Sequence, residues 1–487
     1  MHIAFAASEC APWATTGGLG EVVGALPREI AKLGHQVSLY LPYYRQVRER
    51  MPAKSEKRHA VRSITIPFLF YNRFAAIVDG GMHDGVQTWF VDCPELFDRE
   101  WLYGPVGSEY QDNWERFALL CRAAIEASKQ LGVPHVFHVH DWQTALLPVY
   151  LRTLYFFDPA LRKCGAVLTI HNAGYQGVFP APTLDRLLFP RDLFTAERLE
   201  YYDKFSFLKG GIVYSDALTT VSRRYAEEIQ TPEFGRGLEG ILRRRAGDLH
   251  GILNGVDYAK WNPATDGNIA AHYTAENLAG KADCRRDLLH AFGAGPVNDT
   301  TAVLGMVTRM ATQKGIDLIE RVADALLQED TVLVVMGSGE SYYENFFREL
   351  ASRSGGRVLV KIGYDDALAH KVEAGADIFL MPSRYEPSGL NQFYSMRYGT
   401  PPIVRSTGGL EDTVEEWNPE TGTGTGFKFH EYKPEDLRAA IQRALGAFRY
   451  KDTWATLMRN GMLQDFSWPR SAAEYVGVYE EVARRRS

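Results

Sequence analysis

The chain has 487 residues, of which 45% are hydrophobic and 23% charged, a composition that is typical of globular proteins and excludes wholesale disorder. At roughly 100–200 residues per domain, this length predicts two to four domains. The formal net charge of -6 disfavours a nucleic-acid-binding protein, because phosphate recognition usually requires a basic face, although a local basic pocket is compatible with it.

The N-terminal sequence predicts a first β-strand and not a signal peptide, because the apolar run His2–Ala7 is short and no basic segment precedes it. No stretch approaches the roughly 18 apolar residues that a membrane span needs. The cysteines are far apart and show no CxxC pairing, which favours reduced thiols in a cytoplasmic protein over disulfides or a zinc site. They are Cys10, Cys93, Cys121, Cys164 and Cys284.

Short apolar runs alternate with amphipathic helices in the first half of the chain. The strand His2–Ala7 is followed by a helix over Gly20–Leu33, whose apolar residues recur at helical spacing, and by the strand Val37–Leu41. This alternation predicts a parallel sheet with helices on both faces. Further predicted strands are Val136–Val139, Ala166–Ile170, Ala217–Val221 and Gly251–Leu253.

A second series of strands and helices begins after a polar stretch around Asp257–Arg285. Its predicted strands are Ala302–Val307, Thr331–Met336, Val358–Ile362, Asp377–Met381 and Pro402–Val404, with a helix over Gly315–Leu327. We therefore predict an α/β fold of two doubly wound, Rossmann-like domains, residues 1–260 and 261–468. A closing helix in residues 469–487, after a break at Pro469, is expected to pack back on the first domain.

A glycine-containing hexapeptide occurs once in each half, at residues 16–21 and 407–412. Each copy is explained either as a plain loop-to-helix junction or as a loop that faces a ligand shared by both, and the sequence leaves both explanations open. A third glycine-rich run, residues 422–426, predicts a flexible surface loop.

Ligands of open α/β sheets bind at the carboxyl ends of the strands, so the polar residues that follow each strand are candidates for function. Residues 15–20 follow the first strand, and their glycines would let backbone N–H groups approach a phosphate at the start of a helix. The segment matches neither the dinucleotide fingerprint nor a P-loop, and a tight turn explains it equally well.

Two later strands of the first half also end in polar residues. His138 and His140 point to one side of their strand and could bind a metal, but no third ligand is identifiable nearby. Asp141 could hold sugar hydroxyls or cap the next helix. His171 is explained either as a structural histidine or as a donor to a sugar hydroxyl.

The second half supplies cations and a carboxylate at equivalent places. Arg309 and Lys314 could clamp a diphosphate, whose charge grows as a nucleoside diphosphate leaves, or they could be a solvated pair. Glu386 could steady positive charge at an anomeric carbon or form a salt bridge at a turn, and Ser388–Asn391 could begin a helix that meets phosphate. Together these strand ends favour a sugar-nucleotide enzyme over a dehydrogenase.

At this point the motifs match a family nearly from end to end. The chain resembles bacterial glycogen synthases and plant starch synthases, which are retaining glucosyltransferases of the GT-B fold, with two Rossmann-like domains facing a deep interdomain cleft. The matching segments are 16–19, 24–27, 140–142, 169–172, 208–211, 253–257, Arg309 with 313–315, 362–364, 382–387, 405–410 and 465–468.

The resemblance implies roles for individual residues. Arg309 and Lys314 would bind the donor diphosphate, Glu386 would hold the donor glucose near its reacting carbon, and His171 and Asp141 would contact that glucose. Glu9 would face the glucan acceptor. The remaining implied donor-binding residues are Thr15, Gly17, Gly18, Asn254, Tyr364, which would stack near the adenine, and the backbone amides of Leu390 and Asn391.

The implied reaction transfers glucose from ADP-glucose to an α-1,4-glucan with retention of configuration, without metal, cofactor, nucleic acid or membrane. The chain departs from the family at Thr15, where a lysine is usual, at Glu21, where an aspartate is usual, and at Asn391, which is often threonine. Three alternatives remain: a GT-B transferase using UDP-glucose or another acceptor, a glucan phosphorylase, for which no pyridoxal phosphate lysine is recognisable, and a non-catalytic glucan-binding relative.

Overall fold

A computed structural model describes residues 1–51, 59–105 and 107–487, and the chain divides into two compact units. Unit 1 comprises Met1–Gly255 together with Trp468–Ser487, and unit 2 comprises Val256–Ser467. The division lies slightly before the boundary predicted at residue 260. No helix of the described residues combines the length and the apolar character that crossing a membrane requires.

The strands of unit 1 follow one another from the N-terminus to the end of the unit's first segment. They are β1 (His2–Ala6), β2 (Gln36–Pro42), β3 (His59–Pro67), β4 (Asn72–His83), β5 (Val86–Asp92), β6 (Val136–His140), β7 (Gly165–Ile170), β8 (Val178–Pro180), β9 (Glu200–Tyr201), β10 (Lys204–Ser206), β11 (Ala217–Thr220) and β12 (Leu249–Gly251).

The helices of unit 1 alternate with these strands. They are α1 (Gly18–Lys32), α2 (Arg45–Arg50), α3 (Pro94–Phe97), α4 (Asn113–Leu131), α5 (Asp141–Thr144), α6 (Leu146–Arg152), α7 (Thr183–Arg186), α8 (Phe207–Tyr214), α9 (Arg223–Glu228) and α10 (Glu239–Arg244), with 3-10 turns at Arg191–Leu193 and Ala246–Asp248.

The main sheet of unit 1 is parallel from β12 to β5. Its order is β12-β11-β7-β6-β1-β2-β5-β4-β3, so the parallel part starts in the middle and grows outward to both sides, as in doubly wound folds. Strand β1 is buried along its whole length, as expected for a parallel strand covered by helices on both faces. Within the described residues, β8, β10 and β9 form a separate three-stranded antiparallel sheet.

The edge of the main sheet departs from the predicted parallel pattern. Strands β3 and β4, and β4 and β5, pair antiparallel. The β4–β5 hairpin turns at Asp84 and Gly85, which both have positive φ angles. Asp-Gly is a preferred pair for such a two-residue turn, so the sequence contained a hairpin signal that the predicted alternation did not use.

Unit 2 has a single sheet, whose strands are all parallel. Its strands are β13 (Ala302–Val307), β14 (Thr331–Gly337), β15 (Val358–Ile362), β16 (Ile378–Met381), β17 (Pro402–Arg405) and β18 (Phe427–Phe429). Their order, β15-β14-β13-β16-β17-β18, is the Rossmann order, in which the strand sequence reverses beside the first strand. The reversal places the carboxyl ends of β13 and β16 side by side.

Helices flank the sheet of unit 2, and one further helix closes the chain. Unit 2 contains α11 (Gly280–Ala291), α12 (Ile316–Leu326), α13 (Ser341–Arg353), α14 (Asp366–Gly375), α15 (Asn391–Arg397), α16 (Gly408–Thr413), α17 (Pro434–Phe448) and α18 (Lys451–Met462), with a 3-10 turn at Thr312–Lys314, and the closing helix is α19 (Trp468–Arg486). Helix α19 contacts α1, β6 and β7 of unit 1.

Three details of the predicted pattern are corrected. Pro469 does not break the chain but lies in the first turn of α19, where its missing N–H is not needed. Strand β12 ends at Gly251, where the predicted strand Gly251–Leu253 begins, and Gly251 lies so close to Ser222 that there is no room for a Cβ. Residues 422–426 are a packed turn, in which Asn460 donates to the carbonyls of Gly422 and Gly424.

Candidate functional site

The predicted cation and carboxylate of unit 2 meet as a partly buried ion pair. Lys314 Nζ lies 2.5 Å from Glu386 Oε2, and Ser383 Oγ donates to the same carboxylate oxygen at 3.0 Å. Glu386 is only 6% exposed, whereas the Lys314 side chain is 22% exposed. The carboxylate is thus held from two sides, while its partner retains contact with the surroundings.

A glycine makes this pairing possible. Gly315 lies between the Thr312–Lys314 turn and α12 with a φ of +74°, and a Cβ there would lie 2.0 Å from the carbonyl oxygen of Pro382. Only glycine fits both the left-handed backbone and this close approach. The backbone after β13 therefore lies directly against the loop after β16, which brings Lys314 to Glu386.

The second glycine hexapeptide supports the Glu386 loop from the other side. The N–H of Gly409 donates to the carbonyl of Glu386 at 3.1 Å, and Cβ atoms at Gly408 and Gly409 would each lie 2.0 Å from carbonyl oxygens, those of Glu386 and Ser388. In unit 2, packing alone explains these glycines. They begin α16, as the loop-to-helix explanation predicts.

The other predicted residues of unit 2 lie near the same strand ends. Arg309 follows β13, is exposed, and donates to Gln313 Oε1 at 2.8 Å. Leu390 is the N-cap of α15, which begins at Asn391, and the Asn391 amide donates to the Val307 carbonyl at 2.6 Å. Tyr364 follows β15, is 66% exposed, and donates its hydroxyl to Asp366 at 3.0 Å.

In unit 1, Glu9 is a buried carboxylate with three hydrogen bonds. It accepts from the backbone N–H of Thr16 at 2.5 Å, from Thr16 Oγ1 at 2.8 Å and from the Tyr103 hydroxyl at 2.6 Å. Ser8 Oγ lies 2.8 Å from the same hydroxyl. Glu9 therefore anchors the first glycine loop, and sequence reasoning missed Tyr103 because it lies far from Glu9 along the chain.

The first glycine loop differs from its counterpart in unit 2. Gly17 is the N-cap of α1, and Cβ atoms at Gly17 and Gly18 would meet nothing within 4 Å among the described residues. At Gly20, in contrast, a Cβ would collide with the side chain of Thr15. Thr15 is exposed, and its hydroxyl donates to the carbonyl of Gly17 at 3.2 Å. The space beside Gly17 and Gly18 is therefore open and is not filled by other described residues.

Asp141 and His171 adjoin at the ends of β6 and β7. The backbone N–H of His171 donates to Asp141 Oδ1 at 2.7 Å, so Asp141 does not cap α5. Burial raises the pKa of the Asp141 carboxyl to about 7, against the opposing effect of the N–H groups of His171 and Asn172. Burial also lowers the pKa of the His171 imidazole to about 3, which keeps this ring neutral at ordinary pH.

The His-x-His pair of β6 joins the core instead of a metal site. His138 bonds to Thr169 Oγ1 at 2.6 Å and to the Tyr479 hydroxyl at 2.8 Å. His140 Nδ1 lies 3.0 Å from His171 Nε2, and burial holds the pKa values of His138 and His140 well below their ordinary value. Among the described residues, no group of three or more metal-ligating side chains is placed to hold an ion.

Asn254, the last predicted residue of unit 1, lies just after β12. It is 5% exposed, and its Oδ1 has no hydrogen-bond partner among the described residues. A buried amide oxygen without a partner is costly, so this atom is a candidate to accept a hydrogen bond from a ligand.

The five cysteines are all buried with free thiols, and burial raises the pKa of Cys10 to about 12.

The structure thus forms two clusters, each within one unit. Unit 2 brings Lys314 and Glu386 into contact, with Ser383 as a partner that the sequence did not reveal. Unit 1 brings Asp141 and His171 into contact, and ties Glu9 to the first glycine loop. Glu21 lies in the first turn of α1 and is exposed.

Comparisons with known proteins identify the family of the chain. The family model of the starch synthase catalytic domain matches residues 2–244, and that of glycosyl transferases group 1 matches residues 291–447. The chain is 57% identical over 100% of its length to a glycogen synthase from Koribacter versatilis, of which it covers 99%. It is 47% identical over 99% of its length to a glycogen synthase from Anaeromyxobacter dehalogenans, of which it covers 100%.

Solved structures give the same result. The catalytic domain of starch synthase IV from Arabidopsis thaliana, bound to ADP and acarbose, superposes with a TM-score of 0.89 at 32% identity over 99% of both chains. A sucrose-phosphate synthase from Thermosynechococcus elongatus, with a TM-score of 0.62 at 19% identity over 99% of both chains, shares the fold. The predicted GT-B type of two Rossmann-like domains is confirmed, and the chain belongs to the glycogen synthase family.

Proposed function

We propose that the protein is a glycogen or starch synthase that transfers glucose from ADP-glucose to the non-reducing end of an α-1,4-glucan, with retention of configuration. The observation that carries the proposal is the ion pair between Lys314 and the buried Glu386, in a chain whose relatives at 57% and 47% identity are glycogen synthases. The related starch synthase structure holds ADP and acarbose, which supports an adenine nucleotide as the donor.

Unit 2 supplies the chemistry for the donor. As the bond between the anomeric carbon and the diphosphate breaks, negative charge grows on the diphosphate and positive charge on the sugar. Arg309 and Lys314 would meet the negative charge, and Glu386 would stabilise the sugar carbon. The backbone amides at Leu390 and Asn391 would assist with the diphosphate, and the exposed ring of Tyr364 would stack near the adenine.

Unit 1 supplies groups for the sugars. Asp141 and Glu9 are carboxylates at strand ends, where fixed oxygens can accept from sugar hydroxyls, with Asp141 and His171 facing the donor glucose and Glu9 the glucan acceptor. Asn254 Oδ1, which lacks a partner among the described residues, would accept from the donor. The open space at Gly17 and Gly18 would admit a phosphate to the N-terminus of α1.

We also propose that no metal ion or cofactor takes part and that the enzyme works in the cytoplasm. Two cations, Arg309 and Lys314, follow β13 and would neutralise the leaving diphosphate, a task that a divalent ion performs in many phosphate sites. The free thiols of all five cysteines suit a reducing compartment.

The test is the transfer of labelled glucose to glycogen from ADP-glucose and from UDP-glucose, side by side, with and without EDTA. We expect the higher kcat/KM with ADP-glucose and no loss in EDTA. A clear preference for UDP-glucose would reject the proposed donor, and loss in EDTA that a divalent ion restores would reject the metal-free reaction.

Variants of the unit 2 cluster separate catalysis from binding. Glu386→Ala and Arg309→Ala should each lower kcat by roughly 10²–10³, because both groups act on charge that develops during transfer. Lys314→Ala should act likewise, while His138→Ala, at a structural histidine, should have a milder effect on kcat. Glycogen binding that persists without turnover in the unaltered protein would instead identify a non-catalytic glucan-binding relative.

A further inference from the structure

The contact between His140 and His171 limits which ring nitrogens carry protons. His140 ends β6, which pairs with β7 in a register that places His140 opposite Thr169, so His171 follows directly at the neighbouring strand end. His140 Nδ1 and His171 Nε2 are 3.0 Å apart. Each neutral imidazole has one N–H donor and one acceptor nitrogen, so one of these two atoms donates and the other accepts.

The environment of His140 selects between the two arrangements. Its second nitrogen, Nε2, is buried and has no hydrogen-bond partner among the described residues. The ring is fully buried and packs against both Phe5, 5.9 Å away and nearly parallel, and His138, 4.2 Å away. An N–H buried without an acceptor is rarer in proteins than an acceptor buried without a donor. The unpartnered Nε2 therefore favours the arrangement in which this nitrogen carries no proton.

The proton of His140 is then on Nδ1, which donates to His171 Nε2. Because His171 is neutral, with a pKa lowered by burial to about 3, its own single proton must be on Nδ1. None of the hydrogen bonds among the described residues ends on His171 Nδ1. We propose that His140 is a positioning residue that fixes His171 as its Nδ1–H tautomer, so that His171 presents a hydrogen-bond donor to a substrate oxygen.

The backbone of His171 is fixed independently of its ring. Its N–H donates to Asp141 Oδ1, so the main chain is held by one neighbour and the ring by another. A donor held in this way suits a hydroxyl or phosphate oxygen of a sugar nucleotide. The unprotonated nitrogen of the other tautomer would instead direct a lone pair at that oxygen and repel it. The nature of this ligand rests on the proposed function, whereas the tautomer does not.

The direct test is long-range ¹H–¹⁵N NMR on the full-length protein with ¹⁵N-labelled histidine, using His171→Ala to assign the resonances. We expect His171 to be protonated on Nδ1 in the unaltered protein. In His140→Asn, whose amide can donate from nearly the same position as Nδ1, this tautomer should persist. In His140→Leu, which offers no donor, the Nε2–H tautomer should become populated.

His138→Asn is the matched control, because it alters a buried histidine on the same strand face without touching His171. It should leave the His171 tautomer unchanged even if the protein becomes less stable. A proton on His171 Nε2 in the unaltered protein would overturn the proposal, and so would an unchanged Nδ1–H tautomer in His140→Leu.

Kinetics connect the tautomer to turnover. With ADP-glucose and saturating glycogen, His140→Leu should lower kcat at least about tenfold, and His140→Asn should recover most of that loss. Circular dichroism checks that both variants are folded. If the NMR results are as expected but His171→Ala turns over at the unaltered rate, the tautomer assignment stands and the role of His171 in the proposed function is wrong.

Discussion

The resemblance to glycogen and starch synthases implies a lysine at position 15, so Thr15 leaves the first glycine loop without the charge that a lysine would carry. Its hydroxyl already has a partner, the carbonyl of Gly17, and the residue is exposed. If the missing lysine serves ground-state binding of the diphosphate, this enzyme has a high KM for ADP-glucose and an ordinary kcat. Arg309 and Lys314 remain to meet the charge of the leaving group.

Thr15→Lys should therefore lower the KM for ADP-glucose by roughly tenfold, the effect of about 1.4 kcal/mol, with little change in kcat. The measurement is steady-state kinetics at saturating glycogen. Thr15→Met is the control for side-chain length without charge and should leave KM unchanged. An unchanged or raised KM in Thr15→Lys would show that the site compensates for the lysine in another way.

Asp141 combines a strained backbone with an unfavourable charge. Its φ is +52°, in the left-handed region that non-glycine residues rarely adopt, and burial raises its pKa. Strained and destabilised residues persist where function requires them. A carboxylate that costs stability in the absence of substrate is consistent with a role in holding sugar hydroxyls.

This raised pKa predicts how stability varies with pH. The folded-state pKa of about 7 exceeds the unfolded value of about 3.9, so the unfolded chain releases this proton first as pH rises. Asp141 therefore lowers the free energy of unfolding increasingly from about pH 4, and its full cost is present above about pH 7.

Asp141→Asn removes this cost but keeps an oxygen that can accept from the His171 N–H. The variant should be more stable than the unaltered protein, and this advantage should be larger at pH 8 than at pH 5 by roughly 2–3 kcal/mol, while activity is lost. Urea unfolding at both pH values measures the difference. An equal effect of the substitution at the two pH values would show that the Asp141 carboxyl titrates normally.

At the scale of elements, the two glycine hexapeptides have the same pattern but different surroundings. Gly408 and Gly409 lie against carbonyl oxygens of the Glu386 loop, whereas Gly17 and Gly18 border open space. Only the copy in unit 1 therefore contains glycines that packing within the described chain does not require. This difference favours a ligand-facing role for the first copy and a structural role for the second.

Gly18→Ala tests this difference, with Gly20→Ala as its matched control on the same helix. At Gly18 the added methyl group meets nothing within 4 Å, so thermal stability should be unchanged or slightly higher, because alanine favours helix. Activity should decrease, because the methyl group occupies the space through which a phosphate would reach α1.

At Gly20 the added Cβ would collide with the Thr15 side chain, so this variant should lose stability. The measurements are the midpoint of thermal unfolding and kcat/KM for ADP-glucose. Full activity in Gly18→Ala would show that the open space at the start of α1 is not used by the donor.

The sequence predicted most of the parallel strands, because each of these is a short apolar run bounded by polar residues, but β5 and β18, which are also parallel, were not predicted. The antiparallel edge was not predicted, although Asp84 and Gly85 mark a hairpin, because a βαβ alternation implies parallel neighbours only. The sequence also identified Lys314 and Glu386 separately. Their contact was not predictable, since it depends on how closely Gly315 approaches Pro382, a tertiary detail that residue spacing does not contain.

At the scale of the whole chain, the last helix completes the core of the first unit. The Tyr479 hydroxyl of α19 is hydrogen-bonded to His138 of β6, and Val482 packs where Gly165 begins β7, so that a Cβ on Gly165 would lie 2.3 Å from Val482 Cγ1. Residues of α19 therefore pack against the sheet whose strand ends carry His140 and His171. Unit 1 cannot reach its full stability before α19 docks.

The contact between Gly165 and Val482 allows this dependence to be measured. Gly165→Ala should destabilise unit 1, because β7 and α19 must separate to admit the methyl group. Val482→Ala should destabilise it by about 2 kcal/mol, because it removes buried methyl groups. In the double variant the smaller side chain at residue 482 makes room for the new methyl group at residue 165. The stability lost in the double variant should therefore be smaller than the sum of the losses in the two single variants, by at least about 1 kcal/mol.

Hydrogen exchange of the β7 amides, followed by mass spectrometry, gives the free energy of opening for unit 1 without assuming that both units unfold together. Val478→Ala is the control for a cavity elsewhere on the same helix, since Val478 is buried but is not among the atoms nearest to Gly165. Its effect should add to that of Gly165→Ala. Strict additivity of Gly165→Ala with Val482→Ala would mean that α19 does not set the packing at the start of β7, and that the end of the chain can detach without opening the strand that leads to His171.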